Sequence, residues 1–541
     1  MTTLLDGSPY QGYLYAYPHK TAYRPLRPRP ALGDVWAAED RAALFLYLHI
    51  PFCEMRCGFC NLFTRTRPPA EQVSAYLAQL RTQAAVVSRE LGDATFARAA
   101  VGGGTPTYLT AAELTDLFSI LTDVLGVDLA GAELSVETSP ATATPDRLAV
   151  LAAHHTRRVS IGVQSFLDAE AHAAGRPQKR AEVDRALGAI REAALPVLNL
   201  DLIYGIPGQT ARTWDESLRT ALTWHPEEIY LYPLYVRPLT GLGRRAGDLL
   251  VGPGRRADDP TRVGDPGLAT GPGLTNDPGV ATGRAGESDF DPAWDAARLA
   301  LYRQGRDTLR AAGYRQLSMR QFRRADVPDP QGADYCCQDD GMVGLGCGAR
   351  SYTRDLHYSF DYAVGVGEVR AIIDDYVSRP AGDFRHAEFG FTLDGTEQRR
   401  RWLLKSLLRA EGVDPAGYAA RFGTTVAHDF PQLTALSDRD WLTTAPAQPT
   451  SVAGLAAPGT GTRAPAQPTS VADPAAPGTV PLAPALPQPT SAAPGAGPGR
   501  PALTAPDRLV LTDEGLAHGD LIGPWLVSGE VRAAMAGHTP R

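Results

Sequence analysis

Between residues 44 and 235, short apolar runs rich in β-branched residues alternate with stretches of helical period, and this alternation restricts the chain more than any other feature. The strand candidates are 44–49, 96–101, 133–137, 158–163, 197–203 and 229–235. Helix-period stretches such as 72–91 and 114–125 separate them. Strands that are apolar on both faces, each followed by a helix, build a parallel sheet covered by helices. The expected fold class is therefore α/β, a partial TIM-type (β/α)6 barrel. A seventh strand is expected at 314–322, after a helix over 293–312.

Past residue 395 the texture changes to helices at 398–410, 415–422 and 430–436, with two short strand-like pieces at 441–442 and 508–512. That order resembles a winged-helix module, so a small, mostly helical C-terminal domain is expected. Of the 541 residues, 54 are Gly and 45 Pro, above average usage. Much of the excess falls in two repetitive tracts without aromatic residues. In 250–288 the unit beginning at Asp265 recurs at Asp277; in 444–504 the unit beginning at Ala445 recurs at Ala464. Neither tract can bury enough apolar surface to offset its ordering entropy, so both read as mobile linkers. The expected organisation is an N-terminal arm (1–40), a barrel (41–249), an insertion (250–288), a barrel extension with substrate-side loops (289–394) and the C-terminal domain (395–541), which carries the second tract within its hairpin.

The formal net charge of −7 provides no basic field for a nucleic-acid backbone. The longest apolar run, 42–52, is too short to span a bilayer, and no secretory leader pattern opens the chain. The expectation is a cytoplasmic protein with neither nucleic acid nor membrane as partner. In a reducing compartment, a tight cysteine group points to metal or catalysis rather than to disulfides.

Such a group follows the first strand: Cys53-Glu54-Met55-Arg56-Cys57-Gly58-Phe59-Cys60. Three thiolates at this spacing can wrap one [4Fe–4S] cube and leave one iron open, with a structural zinc site or buried thiols as the alternative. The motif resembles that of the radical S-adenosylmethionine superfamily. Tyr47 to Cys53 (YLHIPFC), Gly102 to Pro106 (GGGTP), Ile161 to Phe166 (IGVQSF) and Asp201 to Gly208 (DLIYGIPG) resemble the oxygen-independent coproporphyrinogen III oxidase family, which includes the HemW-type heme chaperones.

The resemblance implies an oxidoreductase in which the open iron of a [4Fe–4S] cluster held by Cys53, Cys57 and Cys60 binds S-adenosylmethionine. Reductive cleavage of that cofactor would give a 5′-deoxyadenosyl radical. By the same resemblance Gly104 and Thr105 would meet the methionine amino group and Arg176 its carboxylate. Glu137 and Gln164 would take the ribose hydroxyls, and Asp201 a further nucleoside contact. Phe59 would pack near the adenine, and Tyr47 would orient the bound cofactor. The implied partners are a small-molecule substrate, with a porphyrinogen or other tetrapyrrole as candidate, and a reductase such as flavodoxin or ferredoxin. Heme binding without oxidase activity is the alternative.

Barrel geometry agrees, because these positions fall at the C-terminal ends of successive strands, where such folds carry their sites. Two departures stand out. The decarboxylating oxidases have a further cysteine two residues beyond the third, where this chain has Leu62. The H-N-x-x-Y-W motif of the heme chaperones has no match. Cys336, Cys337 and Cys347 suggest either small buried thiols or ligands of an auxiliary cluster. His154-His155 reads as a helix end, and the tyrosine-rich stretch from Tyr10 to Tyr23 as a lid or an arm packed on the barrel.

Overall fold

In the strand Leu44–Ile50 (β1), six of seven side chains are buried on the two faces together, the pattern of a strand with helices on one side and a filled interior on the other. The next five strands share this character: Phe96–Gly103 (β2), Glu133–Thr138 (β3), Thr156–Gln164 (β4), Val197–Tyr204 (β5) and Glu228–Pro233 (β6). All pair in parallel in chain order, for example Leu46 with Ala99 and Leu200 with Ile229. Helices Ala70–Leu91, Ala111–Ser119, Pro145–Ala153, Arg180–Glu192 and Ala211–Thr223 cover the outside. This computed structural model describes residues 2–245, 291–328, 341–446 and 507–538. The expected insertion at 250–288 lies outside them, as does 444–504 beyond Pro446. No described helix is long and apolar enough to cross a membrane.

The sheet departs from expectation at both edges. The stretch expected as one strand over 314–322 is a hairpin, Tyr314–Gln316 (β7) and Gln321–Arg324 (β8), turned where the Leu317 N–H donates to the Gln321 carbonyl. Strand β8 runs antiparallel to β6, so this edge adds no parallel strand. At the other edge Met342–Leu345 (β9) pairs in parallel with β1, Gly344 opposite Tyr47, and makes a seventh parallel strand. Arg350–Tyr352 (β10), Leu356–Ser359 (β11) and Phe389–Thr392 (β12) extend the sheet antiparallel. With a two-residue strand at Arg24–Pro25, the 13-stranded sheet stays open, a partial barrel.

A second core holds the C-terminal helices, including Gly395–Leu407 and Pro415–Phe422, around Leu403, Leu407, Tyr418 and Trp525. Strands Leu442–Ala445 (β13) and Arg508–Leu511 (β14), the two strand-like pieces of the sequence, pair antiparallel beside them. Segment 430–436 is shorter in helix than expected, a 3-10 turn at Pro431–Leu433 followed by Thr434–Ser437. The N-terminal arm joins the two cores: Tyr10 packs in the barrel core, while Leu5 and Tyr17 pack in the C-terminal one. Tyr17 donates to Glu397, and Asp520 accepts from Tyr235 and Arg320 of the barrel.

Candidate functional site

The cysteine loop leaves β1 through Pro51 and is closed by the backbone. The Arg65 N–H donates to the Pro51 carbonyl at 2.6 Å and that of Arg67 to Cys53 at 3.0 Å. Within the loop the Cys60 N–H donates to Cys57 at 3.1 Å. Gly58 is clamped between two other loops, donating to the Gly175 carbonyl at 3.0 Å and accepting from Leu242 at 2.8 Å. A Cβ on Gly58 would fall 2.8 Å from the Ala174 carbonyl oxygen, so glycine is required by this close approach.

The end of β2 supports the loop from beneath. Gly104 donates to the Ile50 carbonyl at 2.7 Å and Thr105 to that of Phe52 at 2.8 Å. Thr105 Oγ1 lies 3.5 Å from Cys53 Sγ, and Arg176 donates from Nη1 to Cys57 Sγ at 3.3 Å while its Nε donates to Gln178. A Cβ at Gly104 would come within 2.6 Å of the Phe52 carbonyl oxygen and 3.0 Å of Cys53 Sγ. Thus Gly104 and Thr105 meet the Cys53 thiol, and Arg176 meets that of Cys57.

All three cysteines are unbridged. Burial pushes the Cys53 thiol up to about 12, the neighbouring Cys60 and Cys57 adding to the rise while Thr105 and Arg176 oppose it. A thiolate here needs positive charge from a bound group. Among the described residues no three His, Cys, Asp or Glu side chains converge as the ligands of one ion would. The donor set on the loop is nonetheless all sulfur, three thiols with no histidine or carboxylate among them, the kind of set that holds an iron–sulfur cluster.

Glu137 ends its strand behind β2, its Oε2 accepting the Gly103 N–H at 3.0 Å, and a side chain on Gly102 would strike the carboxylate. Burial raises this carboxyl to about 7; the Gly103 N–H and Arg158 oppose the rise, and Asp201 adds to it. Gln164 has a left-handed φ of 67°, an arrangement that costs a non-glycine residue about 1–3 kcal/mol. Its amide turns back over Gly162 toward the Arg176 side.

Asp201 accepts from Asn199 Nδ2 at 2.8 Å and Ser160 Oγ at 3.2 Å, and burial raises its pKa. It therefore sits in a bonded floor network with Arg158 nearby. Phe59 packs beside Ile203, Ile206 and Leu242. Tyr47 lies 3.3 Å from His49 Nδ1, and His49 Nε2 is 3.1 Å from the Phe63 carbonyl. Burial lowers His49 to about 4 and leaves it neutral. The carbonyl can only accept, so Nε2 carries the hydrogen and Nδ1 accepts from Tyr47. Gly103 and Gly348 leave the room its ring fills. Patterning alone marks His49 merely as a break in an apolar run.

Cys336 and Cys337 lie outside the described residues. Cys347 is fully buried beside Tyr76, a packed thiol. His154 caps a helix and stacks on Phe118 with centroids 4.5 Å apart.

Residues 47–221 match the family profile of the Radical SAM superfamily. The chain is 32% identical over 194 residues to the heme chaperone HemW of Bacillus subtilis, covering 36% of this chain and 51% of that protein. It is equally 32% identical over 219 residues to the oxygen-independent coproporphyrinogen III oxidase of Paracoccus denitrificans, covering 40% and 48%. The chain thus spans about half the length of these curated relatives. The solved coproporphyrinogen III oxidase HemN of Escherichia coli, described as a radical SAM enzyme, superposes with a TM-score of 0.59 over 75% of this chain and 86% of that one, at 21% identity. That likeness establishes the fold.

Proposed function

We propose that this protein, whose residues 47–221 match the Radical SAM family profile, is a radical S-adenosylmethionine enzyme of the coproporphyrinogen III oxidase type, acting on a tetrapyrrole. The observation that carries this reading is the meeting of three elements at one point: the thiol loop, the β2 end at Gly104 and Thr105, and Arg176 at 3.3 Å from Cys57. When bound, a [4Fe–4S] cluster and S-adenosylmethionine supply reductive cleavage of the sulfonium and an adenosyl radical.

The chain's own residues do the rest. Cys53, Cys57 and Cys60 hold the cluster. Arg176 takes the methionine carboxylate, and the Gly104 and Thr105 segment takes its amino group, with no Cβ to block the approach. Glu137 and Gln164 receive ribose hydroxyls, Asp201 lies beneath them, Phe59 packs beside the adenine and Tyr47, oriented by His49, faces the bound cofactor. The buried interior excludes water from the reacting carbon. A flavodoxin or ferredoxin supplies the electron.

Glu137 accepts ribose hydroxyls on both oxygens, and more strongly, when it is ionised. Its carboxyl, raised by burial to about 7, is protonated below that pH. The affinity for S-adenosylmethionine should rise by up to about tenfold per unit as pH increases toward 7, then level off. Isothermal titration across pH 6 to pH 8 measures this. Glu137→Gln should flatten the profile, and an unchanged slope in that variant would remove Glu137 from the ribose.

The heme-chaperone reading has one observation in its favour, Leu62 where the decarboxylating oxidases carry a fourth cysteine. Anaerobic reconstitution with coproporphyrinogen III and, separately, heme divides the two. Decarboxylated product supports the enzyme. Stoichiometric heme binding with no product and no cofactor cleavage overturns it.

A further inference from the structure

Three cations from distant parts of the chain meet at the mouth of the barrel. Lys20 Nζ lies 3.3 Å from the ring centroid of Tyr362. The Tyr362 hydroxyl donates at 2.9 Å to the carbonyl of Asn61, the residue after Cys60, so Lys20 is one ring away from the cysteine loop. Arg350 donates from Nη1 to the Tyr15 hydroxyl at 2.5 Å, and its guanidinium carbon lies 4.9 Å from that ring. Arg237 lies 4.8 Å from the ring of Tyr235. The Nε groups of Arg237 and Arg350 are both shielded from solvent and have no hydrogen-bond partner among the described residues.

Elsewhere the interior arginines have carboxylates: Arg298 has Asp295, Arg320 has Asp520, and Arg158 and Arg323 share Glu228. Lys20, Arg237 and Arg350 have none among the described residues. Burial, then Arg350 and Arg237, drive the Lys20 ammonium well below its ordinary pKa, with Cys60 the one opposing charge. Like charges gathered without a countercharge repel one another, and in a protein of net charge −7 such a group is not a surplus of a basic surface. The three side chains are only half-buried, so a molecule entering the mouth can reach them.

We propose that Lys20, Arg237 and Arg350 form the subsite that binds oxyanion groups of the substrate, carboxylates of a flat organic acid seated between the rings of Tyr15 and Tyr362. This assignment rests on reading the barrel as the radical SAM site. Guanidinium and ammonium donors suit planar carboxylates and phosphates alike, and the aromatic walls favour a conjugated acid. The arm that brings Lys20 and Tyr15 to the mouth thereby acts as part of the substrate site.

Fluorescence titration of the anaerobically reconstituted full chain with coproporphyrin III and with its tetramethyl ester tests this directly, because the two probes differ in charge and share the ring. The acid should bind on the order of 30-fold tighter than the ester in the unmodified protein. Lys20→Met and Arg350→Met should each weaken the acid by about 3-fold and leave the ester affinity as it was. Displacement of the acid by inorganic pyrophosphate would identify phosphate as the preferred oxyanion, and no displacement would identify carboxylate. Equal binding of acid and ester, or variants that lower both alike, would overturn the subsite. The unmodified protein supplies the comparison even if a variant fails to fold. Cleavage of S-adenosylmethionine is scored on the same preparation: cleavage with no preference for the acid removes the subsite alone, whereas preference without cleavage removes the radical reading and leaves the subsite standing.

Discussion

Replacing Cys57 with alanine should abolish retention of the cluster: reconstituted protein should lose its iron, its sulfide and the broad visible absorbance together. Cys57 lies only partly buried at the open side of its loop, where Arg176 donates to its sulfur. Loss of the thiol removes no large apolar contact, so folding stability should change by less than about 1 kcal/mol. The loop itself is kept by backbone bonds from Arg65, Arg67 and Leu242, which the substitution leaves in place. The signature is therefore a folded, colourless protein. Iron content equal to that of the unmodified chain would show that this sulfur is not a ligand.

Glu228→Gln should produce the largest loss of stability, about 3–5 kcal/mol. Glu228 is 3% exposed in the barrel interior and accepts from Arg158 Nε at 2.8 Å and Arg323 Nη1 at 3.3 Å. Neutralising it takes from both arginines the carboxylate they share and leaves Arg158 only the neighbouring Asp201, and an amide can replace only one of the two accepting oxygens. Urea unfolding followed by far-UV circular dichroism measures the effect as a lower midpoint at an unchanged slope. A change under about 1 kcal/mol would mean that water reaches the pair. Because Arg158 also lies near Asp201 and Glu137, weakened cofactor binding should accompany the loss.

Much of this architecture is written locally. Strands buried on both faces, such as Leu44–Ile50 and Val197–Tyr204, are continuous apolar runs, and the helices between them repeat apolar residues at helical spacing. Cys53, Cys57 and Cys60 are legible for the same reason: one loop carries all three. What was not legible depends on distant pairing. Met342–Leu345 has four residues among glycines, and only its register with β1, some 300 residues away in the chain, makes it a barrel strand. The apolar Leu317 and Met319 make 314–322 read as one run, although the turn between them folds it into a hairpin. Lys20, Arg237 and Arg350 come from the N-terminal arm, the segment after β6 and strand β10, and no spacing in the sequence joins them. His49 is visible only once Gly103 and Gly348 are seen to make room for its ring.

The central claim is that the loop of Cys53, Cys57 and Cys60, with Arg176 and the end of β2, is built to hold a cluster and cleave S-adenosylmethionine at it. Anaerobically reconstituted full-length protein, reduced with dithionite and given S-adenosylmethionine, tests this most directly by chromatographic detection of 5′-deoxyadenosine and methionine. The account predicts both products in equal amounts from the unmodified chain and neither from Cys57→Ala. A fully loaded, reduced cluster that yields no 5′-deoxyadenosine with either coproporphyrinogen III or heme present would contradict it.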